Sequence, residues 1–392
     1  MKFSNRARSI SPFIAMEFGK RAAALEAQGH RVIKLNIGEP DFGAPAPVVR
    51  AMQEVLTSTP MTYTSALGLY DLRQAIARYY ETTYGLDIDP SRVVVTAGAS
   101  AALLLVTAAL VNPGDRVLVS DPSYPCNRQF LSSFGAEVKL VPTSAETRFQ
   151  LDADLVRKHW TSDVRGLMIA TPSNPTGTSV PIGELSEICA HARAHDAWRI
   201  VDEIYLGLTF PTRTGAPAQS ALSVDPDAIV INSFSKYFGM TGWRLGWCIV
   251  PSEMTPVMER LAQNYYICPS TPAQHAALAA FRPETIAICE SRRRELETRR
   301  SLVLDGLERI GLPVPVAPDG AFYVYFSVEG TGMSAMEFCK RALEETHIAL
   351  TPGNDFGEQG ATQYVRLSFA ASIPELAEGL ARLERFLAPT TA

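Results

Sequence analysis

Asn232-Ser233-Phe234-Ser235-Lys236 ends a β-branched apolar run and is soon followed by Gly239-Met240-Thr241-Gly242-Trp243-Arg244. This pattern predicts a strand that ends near a lysine, with two hydroxyl groups just before the lysine and a guanidinium shortly after it. An amine can condense with an aldehyde, and a cation with hydroxyl donors can hold a phosphate dianion. The stretch therefore favours a site for an aldehyde cofactor that carries a phosphate. An ordinary strand end with a solvated lysine stays open as the alternative on these residues alone.

A second junction offers a place for the phosphate. Val93-Val94-Val95-Thr96-Ala97-Gly98-Ala99-Ser100 predicts a buried strand that passes through a glycine turn into an apolar helix beginning at Ala101. The N–H groups of Ala99 and Ser100 would be unpaired at the start of that helix, where the helix dipole favours an anion by about 0.3–1 kcal/mol when exposed. Gly98, Ala99 and Ser100 are therefore candidate phosphate ligands, although a glycine at such a turn usually serves packing alone.

Two further predicted strands end in polar side chains that suit a pyridine ring. A strand at residues 167–170 runs into a turn containing Asn174, and Ile200-Val201 is followed by Asp202 and Tyr205. A carboxylate can keep a pyridine nitrogen protonated, which makes the ring an electron sink, while an amide and a phenol can reach the ring oxygen. An asparagine beside proline and glycine is more commonly a turn residue. Pyridoxal phosphate combines the aldehyde, the phosphate and the ring that these groups would hold.

The four junctions share one property. Each candidate group lies just past the carboxyl end of a predicted strand, and helical patterns separate the strands. Ligands bind at that edge in open α/β sheets. The sequence therefore predicts an α/β fold that brings the four junctions to one site.

These motifs resemble those of a known family. Asn174-Pro-x-Gly, Asp202-x-x-Tyr205, Ser233-x-Ser235-Lys236 and Arg244 occur in the order and approximate spacing of the fold-type I, class I/II pyridoxal-phosphate aminotransferases, the aspartate aminotransferase superfamily. The resemblance covers nearly the whole chain and closes with Tyr364-Val365-Arg366-Leu367-Ser368-Phe369. It implies a mostly parallel seven-stranded α/β sheet sandwiched by helices, together with a smaller α+β domain.

The resemblance also implies roles for the cofactor site. Lys236 would hold the cofactor covalently and then move the substrate's proton as general base and acid, with Asp202 and Tyr205 as its catalytic partners. The other cofactor contacts would be Asp202 at the pyridinium, Asn174 and Tyr205 at the ring oxygen, Tyr124 on the ring face, and Ser233, Ser235, Arg244, Gly98, Ala99 and Ser100 at the phosphate. From the residues alone, Tyr124 is equally well explained as a loop tyrosine.

The substrate contacts come from the same resemblance. Arg366 would bind the α-carboxylate through both oxygens and so fix which bond at Cα stands perpendicular to the ring. Gly38 would let the backbone approach that carboxylate, and Asn174 would lie beside it. Tyr63 would reach the phosphate of the neighbouring subunit, which predicts a homodimer with shared active sites.

We therefore expect an aminotransferase that moves an amino group between an L-amino acid and a 2-oxo acid by a ping-pong mechanism. A lyase of the same fold, working by β-elimination, stays open because pocket side chains set the reaction. A regulatory protein that binds the cofactor would need a basic helix-turn-helix ahead of the core. Because the resemblance starts by Ser11, we expect no room for such a module. Aspartate enzymes of this subgroup place a lysine where Ser100 stands, so we expect neutral aliphatic or aromatic donors, with 2-oxoglutarate or pyruvate as acceptors.

Composition narrows the function classes. The 392-residue chain has a formal net charge of −5 and a pI near 5.8, which argues against general nucleic-acid binding. Six scattered cysteines without a secretory leader predict reduced thiols in the cytoplasm. The apolar run at residues 101–111 is shorter than the roughly 20 residues that span a bilayer. His191 and His195 lack the glutamate of a metalloprotease motif, so we expect no metal and a surface position for both.

The order of patterns predicts two domains. Strands expected near residues 93, 116, 167, 199, 228 and 246 belong to a large cofactor domain at residues 48–284. The smaller domain would combine residues 1–47 with residues 285–392. A charged helix from about Glu284 to Arg309 would lead out of the large domain, with Arg292-Arg293-Arg294 and Arg299-Arg300 on its solvated face.

Overall fold

The computed structural model describes residues 1–210 and 218–388. Its strands are β1 (Ile33–Lys34), β2 (Val93–Thr96), β3 (Arg116–Asp121), β4 (Glu137–Pro142), β5 (Val164–Ala170), β6 (Trp198–Asp202), β7 (Ile229–Ser233), β8 (Gly246–Ile249), β9 (Tyr323–Ser327), β10 (Ile348–Ala349), β11 (Thr351–Pro352) and β12 (Tyr364–Ser368). Its α-helices are α1 (Asn5–Ser9), α2 (Ile14–Ala27), α3 (Ala46–Ser58), α4 (Tyr70–Tyr84), α5 (Ala99–Leu110), α6 (Pro125–Ser133), α7 (Ala153–His159), α8 (Ile182–Ala194), α9 (Thr255–Tyr265), α10 (Thr271–Ala277), α11 (Pro283–Arg309), α12 (Ala335–Thr346) and α13 (Ile373–Leu387).

The central sheet has seven strands in the order β2-β8-β7-β6-β5-β3-β4. Strands β4, β3, β5, β6 and β7 pair in parallel, whereas β8 runs antiparallel to both of its neighbours, β7 and β2. The predicted α/β fold with a mostly parallel seven-stranded sheet is therefore confirmed. The parallel strands bring their carboxyl ends to one edge, where their following loops meet.

Successive residues of strands β2, β5 and β6 pack on opposite faces of this sheet. Val94, Met168 and Ile200 belong to a buried cluster with residues of α5 and α9. Val95 and Ile169, each next in sequence to one of them, belong to a second cluster, which includes residues of α4 and α8. A sheet covered on both faces explains why these strands are continuous apolar runs.

A second group of strands carries the C-terminal site motif. Strands β11, β12 and β9 form an antiparallel three-stranded sheet, and β1 pairs in parallel with β10. Helices α12 and α13 pack against each other, and both contact β10. Arg366 lies at the middle of β12, where it pairs with Tyr325 of β9 and Thr351 of β11.

Helix α11 begins at Pro283 and ends at Arg309, close to the predicted bounds. The expectation that its arginines are all solvated is wrong for Arg299, which is 2% exposed. The Arg299 guanidinium bonds both oxygens of Asp41 at 2.8 and 3.0 Å and lies 4.9 Å from the centre of the Phe42 ring. The segment before α3 folds over this face of the helix, a contact that the local charge pattern does not reveal.

Among the helices of residues 1–210 and 218–388, none combines the length and the apolar character that crossing a membrane requires.

Candidate active site

A cavity of about 790 Å³ opens at the carboxyl edge of the central sheet, between that sheet and β12. It brings together most of the predicted site residues: Gly38, Ala99, Ser100, Tyr124, Asn174, Asp202, Tyr205, Ser233, Ser235, Lys236, Arg244 and Arg366 all line it. Gly98 lies behind Arg244 rather than on the cavity wall. Tyr63 is not part of the wall, and its side chain is 78% exposed.

Lys236 follows β7 and points into this cavity. Its Nζ donates to the carbonyl of Gly38 at 2.5 Å and lies 5.7 and 5.8 Å from the centres of the Tyr205 and Phe322 rings. Burial, with a contribution from Arg366, lowers the pKa of Lys236 to about 8. A substantial neutral fraction near neutral pH makes this amine a competent nucleophile towards an aldehyde.

Asp202 is the last residue of β6 and is 4% exposed. Burial raises the pKa of its carboxyl to about 6, although the N–H of Ile204, at 3.1 Å, and the charge of Lys236 favour the ionised form. The carboxyl lines the cavity and has no ion-pair partner among the described residues. A buried carboxylate in this state suits a ligand that brings its own positive charge.

The other end of the cavity is rich in groups that can hold an anion. The hydroxyl of Ser233 donates to that of Ser235 at 2.9 Å, and both side chains are buried. Helix α5 begins at Ala99, and no described residue accepts a hydrogen bond from the N–H of Ala99 or Ser100. Arg244 packs so closely on the turn that a Cβ at position 98 would lie 2.6 Å from its Nη2. Exposed helix N–H groups, hydroxyls and a guanidinium are the kinds of groups that hold a phosphate in proteins.

Arg366 is almost fully buried, at 2% exposed. Its Nη1 donates to Oδ1 of Asn174 at 2.8 Å, and its Nη2 donates to the carbonyl of Asn36 at 2.6 Å. The guanidinium stacks 4.5 Å from the centre of the Tyr323 ring, and its Nε is buried without a hydrogen-bond partner in the described chain. No described acidic residue forms an ion pair with Arg366, so the structure leaves its charge for a ligand carboxylate.

Tyr323 is a site residue that sequence reasoning missed. Its hydroxyl lies 2.8 Å from that of Tyr205, and a Cβ at position 38 would clash with the Tyr323 hydroxyl. Gly38 is thus the residue that lets the backbone pass this ring. Burial raises the pKa of both tyrosines, which keeps both phenols protonated and able to donate. Tyr323 lies in an apolar run at residues 321–326, whose pattern alone does not tell which side chains meet the cavity.

An apolar wall was also missed. Phe13, Met16 and Ile37 also line the cavity. The Phe13 ring contacts the ring of Tyr124 edge to face, with centroids 5.9 Å apart. The sequence around α2 does not tell which surface this helix faces.

The residues fit pyridoxal phosphate on their own chemistry. The cavity holds an amine of low pKa, a buried carboxyl without a cation, unpaired helix N–H groups and a buried guanidinium with a free Nε, which match an aldehyde, a pyridinium, a phosphate and a substrate carboxylate. Within residues 1–210 and 218–388, no group of three or more acidic, cysteine or histidine side chains is arranged to hold a metal ion.

Comparison with known proteins agrees with this geometry. The family described as aminotransferase class I and II matches residues 30–383. The valine–pyruvate aminotransferase of Mycobacterium tuberculosis is 39% identical over 379 residues, which are 96% of this chain and 97% of that protein. The crystal structure of an aminotransferase from the same organism superposes with a TM-score of 0.94 at 39% identity, over 99% of both chains. Aspartate aminotransferase from Thermus thermophilus with maleate superposes with a TM-score of 0.92 at 32% identity, over 98% of this chain and 99% of that one.

Proposed function

Because the chain belongs to the family of class I and II aminotransferases, whose members depend on pyridoxal phosphate, we propose that the 790 Å³ cavity is its active site. The protein is a pyridoxal-phosphate-dependent aminotransferase that moves amino groups between amino acids and 2-oxo acids. The observation that carries the assignment of the site is the environment of Lys236, whose buried amine has a pKa of about 8 and faces the same cavity as Asp202 and Arg366.

The residues that would hold the cofactor follow from the two ends of the cavity. Asp202 would keep a proton on the ring nitrogen, Asn174 and Tyr205 would donate to the ring oxygen, and Tyr124 would cover the ring face. Ser233, Ser235, Arg244 and the start of α5 would bind the phosphate. When bound, pyridoxal phosphate supplies an aldehyde that condenses with amines and a ring that accepts electrons from the substrate Cα.

The proton transfers belong to Lys236. Arg366 binds the α-carboxylate and holds the Cα–H bond towards Nζ, which then takes the proton as general base and returns it as general acid. The amide of Asn174 is oriented for this arrangement because its Oδ1 accepts from Arg366 at 2.8 Å, which leaves Nδ2 to donate. The same residues serve both half-reactions, so donor and acceptor bind in turn, as a ping-pong mechanism requires.

The substrate side chain would meet the apolar wall of Phe13, Met16 and Ile37, so we propose neutral aliphatic or aromatic amino donors. Position 100 carries a serine hydroxyl, which offers no charge to a distal carboxylate. Pyruvate and 2-oxoglutarate are the proposed acceptors. The relation to a valine–pyruvate enzyme supports this choice, and the relation to an aspartate enzyme argues for testing acidic donors beside neutral ones.

A homodimer with shared sites is part of the proposal. Tyr63 is 78% exposed. The residue before it, Thr62, is hydrogen-bonded to α10, because its carbonyl accepts from the Thr271 hydroxyl at 2.8 Å. Met61 and Ile267, 45% and 49% exposed, leave further apolar surface near this segment. Exposed apolar groups of this kind suit an interface with a second copy.

Two coarser expectations remain proposals. We propose a cytoplasmic location, because all six cysteines are free thiols and four of them are buried. We also propose the division into residues 48–284 and residues 1–47 with 285–392, of which 211–217 and 389–392 lie outside the described residues. Nothing in the comparisons favours the lyase alternative or a regulatory role.

The assignment of Lys236 is tested by reducing the cofactor-loaded protein with borohydride and mapping the labelled peptide. We expect the label on Lys236 and the same result in Lys20→Ala, which removes another lysine from the cavity wall. A label on a different lysine would contradict the site. The donor is identified by mixing the loaded protein with each amino acid in turn and following the cofactor absorbance. Ammonia and pyruvate formed without an acceptor would favour the lyase.

A further inference from the structure

Helix α2 forms one wall of the cavity. Met16, Gly19, Lys20 and Ala23 line the cavity at helical spacing, and Phe13 lines it just before the helix begins. If the cavity binds an amino acid, as proposed above, the position of α2 sets the space left for the substrate side chain.

The start of α2 depends on a distant carboxylate. Its N-cap residue is Phe13, which has no side-chain acceptor for the free N–H groups of the first turn. The N–H groups of Met16 and Glu17 bond the carbonyl of Phe13. Those of Ile14 and Ala15 donate to Oδ1 and Oδ2 of Asp355 at 2.8 and 3.0 Å. A residue 340 positions away thus caps this helix.

Asp355 is itself outside the cavity wall and is 2% exposed. It ends the turn at Gly353–Asp355, directly after β11, and β11 pairs with β12 so that Thr351 lies opposite Arg366. The carboxylate that caps α2 therefore lies in the turn directly after β11, and the guanidinium proposed for the substrate carboxylate lies on the adjacent strand β12.

Asn36 makes a second link on the same turn. Its Nδ2 donates to the carbonyl of Ala15 at 3.1 Å, and its own carbonyl accepts from Nη2 of Arg366 at 2.6 Å. The first turn of α2 is thus hydrogen-bonded through two N–H groups to Asp355 and through a carbonyl to Asn36. Asp355 follows the strand next to Arg366, and Asn36 bonds Arg366 directly.

We propose that Asp355 is a positioning residue that fixes the distance between α2 and Arg366, and thereby decides which side chains the active site accepts. Its two oxygens occupy both free N–H groups, so the first turn cannot shift without leaving a buried polar group unpaired. A substrate held at Arg366 then meets Phe13 and Met16 at a fixed distance. Small side chains do not reach this wall, whereas large apolar ones pack on it.

The test compares amino donors in single-turnover reactions of the cofactor-loaded protein. In Asp355→Asn, one oxygen still accepts but the amide nitrogen cannot, so one N–H of the first turn is left unpaired. We expect the efficiency with leucine and phenylalanine, relative to alanine, to fall by about tenfold or more. The loss should lie mainly in the concentration that gives half-maximal rate, and the rate with alanine at saturation should stay within about threefold of wild type.

Asp152→Ala is the matched control, because alanine leaves one N–H of the first turn of α7 without its acceptor, whereas asparagine would keep that hydrogen bond. Asp152 caps α7 by accepting from the N–H of Leu155 at 2.7 Å, and α7 does not contribute to the cavity wall. We expect this variant to lower the thermal midpoint to a similar degree while the order of donors stays that of wild type. An unaltered order in Asp355→Asn, or the same change in both variants, would overturn the inference.

Two outcomes separate the inference from the proposed function. A wild-type protein that reacts with none of the amino acids contradicts the proposed function and the inference with it. A wild type that reacts, beside an Asp355→Asn protein of unchanged selectivity, overturns the inference alone. If Asp355→Asn does not fold, Asn36→Ala removes the second link to the same turn. The same selective loss there supports the inference, and an unchanged order overturns it.

Discussion

At the scale of single residues, Arg366 illustrates how the site prepares a charge for its ligand. The guanidinium is buried, is bonded by the Asn174 side chain and the Asn36 carbonyl, and keeps its Nε free. Neutral acceptors hold it in place without neutralising it. Under the proposed function, a substrate carboxylate would supply the missing negative charge.

Changing Arg366 to Lys should weaken substrate binding, because an ammonium cannot reproduce the planar fork of a guanidinium. We expect a loss of about 2–3 kcal/mol in transition-state binding, or roughly 30- to 160-fold in kcat/KM. Arg341→Lys, at an exposed pair with Glu345, is the control that should keep wild-type kinetics. An Arg366→Lys enzyme with unaltered kcat/KM would contradict carboxylate recognition at this position.

Changing Asp202 to Asn should remove the partner of the ring nitrogen while the cofactor still condenses with Lys236. We expect kcat to fall by about 10²–10⁴-fold, because the ring then accepts electrons poorly. Absorbance should show a bound cofactor, and steady-state kinetics should show the loss. Near-normal turnover would contradict the role of Asp202.

The pKa of Lys236 predicts how cofactor loading depends on pH. Burial disfavours the ammonium, so the pKa falls to about 8 and the neutral amine dominates only above that pH. The rate at which the cofactor-free protein condenses with pyridoxal phosphate should rise about tenfold per pH unit below 8 and level off above it. Stopped-flow absorbance measures this profile, and Lys20→Ala should give the same one. A rate still rising steeply beyond pH 9 would contradict the assignment.

Residues at strand ends were the predictable part of the site. Ser235, Lys236 and Asp202 each follow a β-branched apolar run, so the local pattern reveals both the strand and the polar group after it. Tyr323 and Phe13 reach the cavity from elements far away in the chain. The residues around Tyr323 and Phe13 are typical of any strand and of any helix start. Only the folded structure shows that both side chains line the cavity.

At the scale of elements, the start of α5 depends on Gly98. Its φ is 88°, and a Cβ there would lie 2.6 Å from Nη2 of Arg244. Gly114 has a φ of 89°, and a Cβ at that position would have no heavy atom within 4 Å. Both glycines therefore need a positive φ, but they differ in the space around the position of a Cβ.

Changing Gly98 to Ala should damage cofactor binding, whereas Gly114→Ala should not. Gly114→Ala should lose about 1–2 kcal/mol of unfolding free energy, because an L-residue is strained at positive φ. Gly98→Ala should lose more, because its φ of 88° and ψ of 168° lie in a region that essentially only glycine adopts. Only Gly98→Ala displaces Arg244, so we expect its dissociation constant for pyridoxal phosphate to rise about tenfold or more. Denaturant unfolding measures the free energy of unfolding, and equilibrium dialysis measures the dissociation constant for pyridoxal phosphate. Equal cofactor affinity in both variants would contradict a phosphate site at this turn.

Strand β4 is the strand of the central sheet that the sequence pattern did not predict. Six strands of the central sheet were placed near their observed positions, but Glu137–Pro142 was not located. This strand lies at the edge of the sheet and is only partly buried, so charged residues alternate with apolar ones in place of a continuous run. The other six strands, including β2 at the opposite edge, are mostly buried and therefore show as apolar runs in the sequence.

At the scale of the whole molecule, a shared site predicts complementation between subunits. Lys236→Ala lacks the reacting amine, and Tyr63→Ala lacks the contact proposed for the neighbouring site. A mixed dimer would contain one site with both wild-type residues. We expect the mixture, after exchange of subunits, to exceed the average activity of the two variants. Activity equal to that average, or a monomer in sedimentation, would contradict shared sites.

The way Arg366 is held has a consequence for simple amines. A primary amine without an acid group would enter the cavity and leave the guanidinium buried with neutral partners alone, which are Asn174, the Asn36 carbonyl and the Thr351 hydroxyl. A site built around such a group rejects a compound that cannot satisfy it more strongly than shape alone would. Decarboxylated analogues of good donors should therefore be poor substrates even though their hydrocarbon parts are identical.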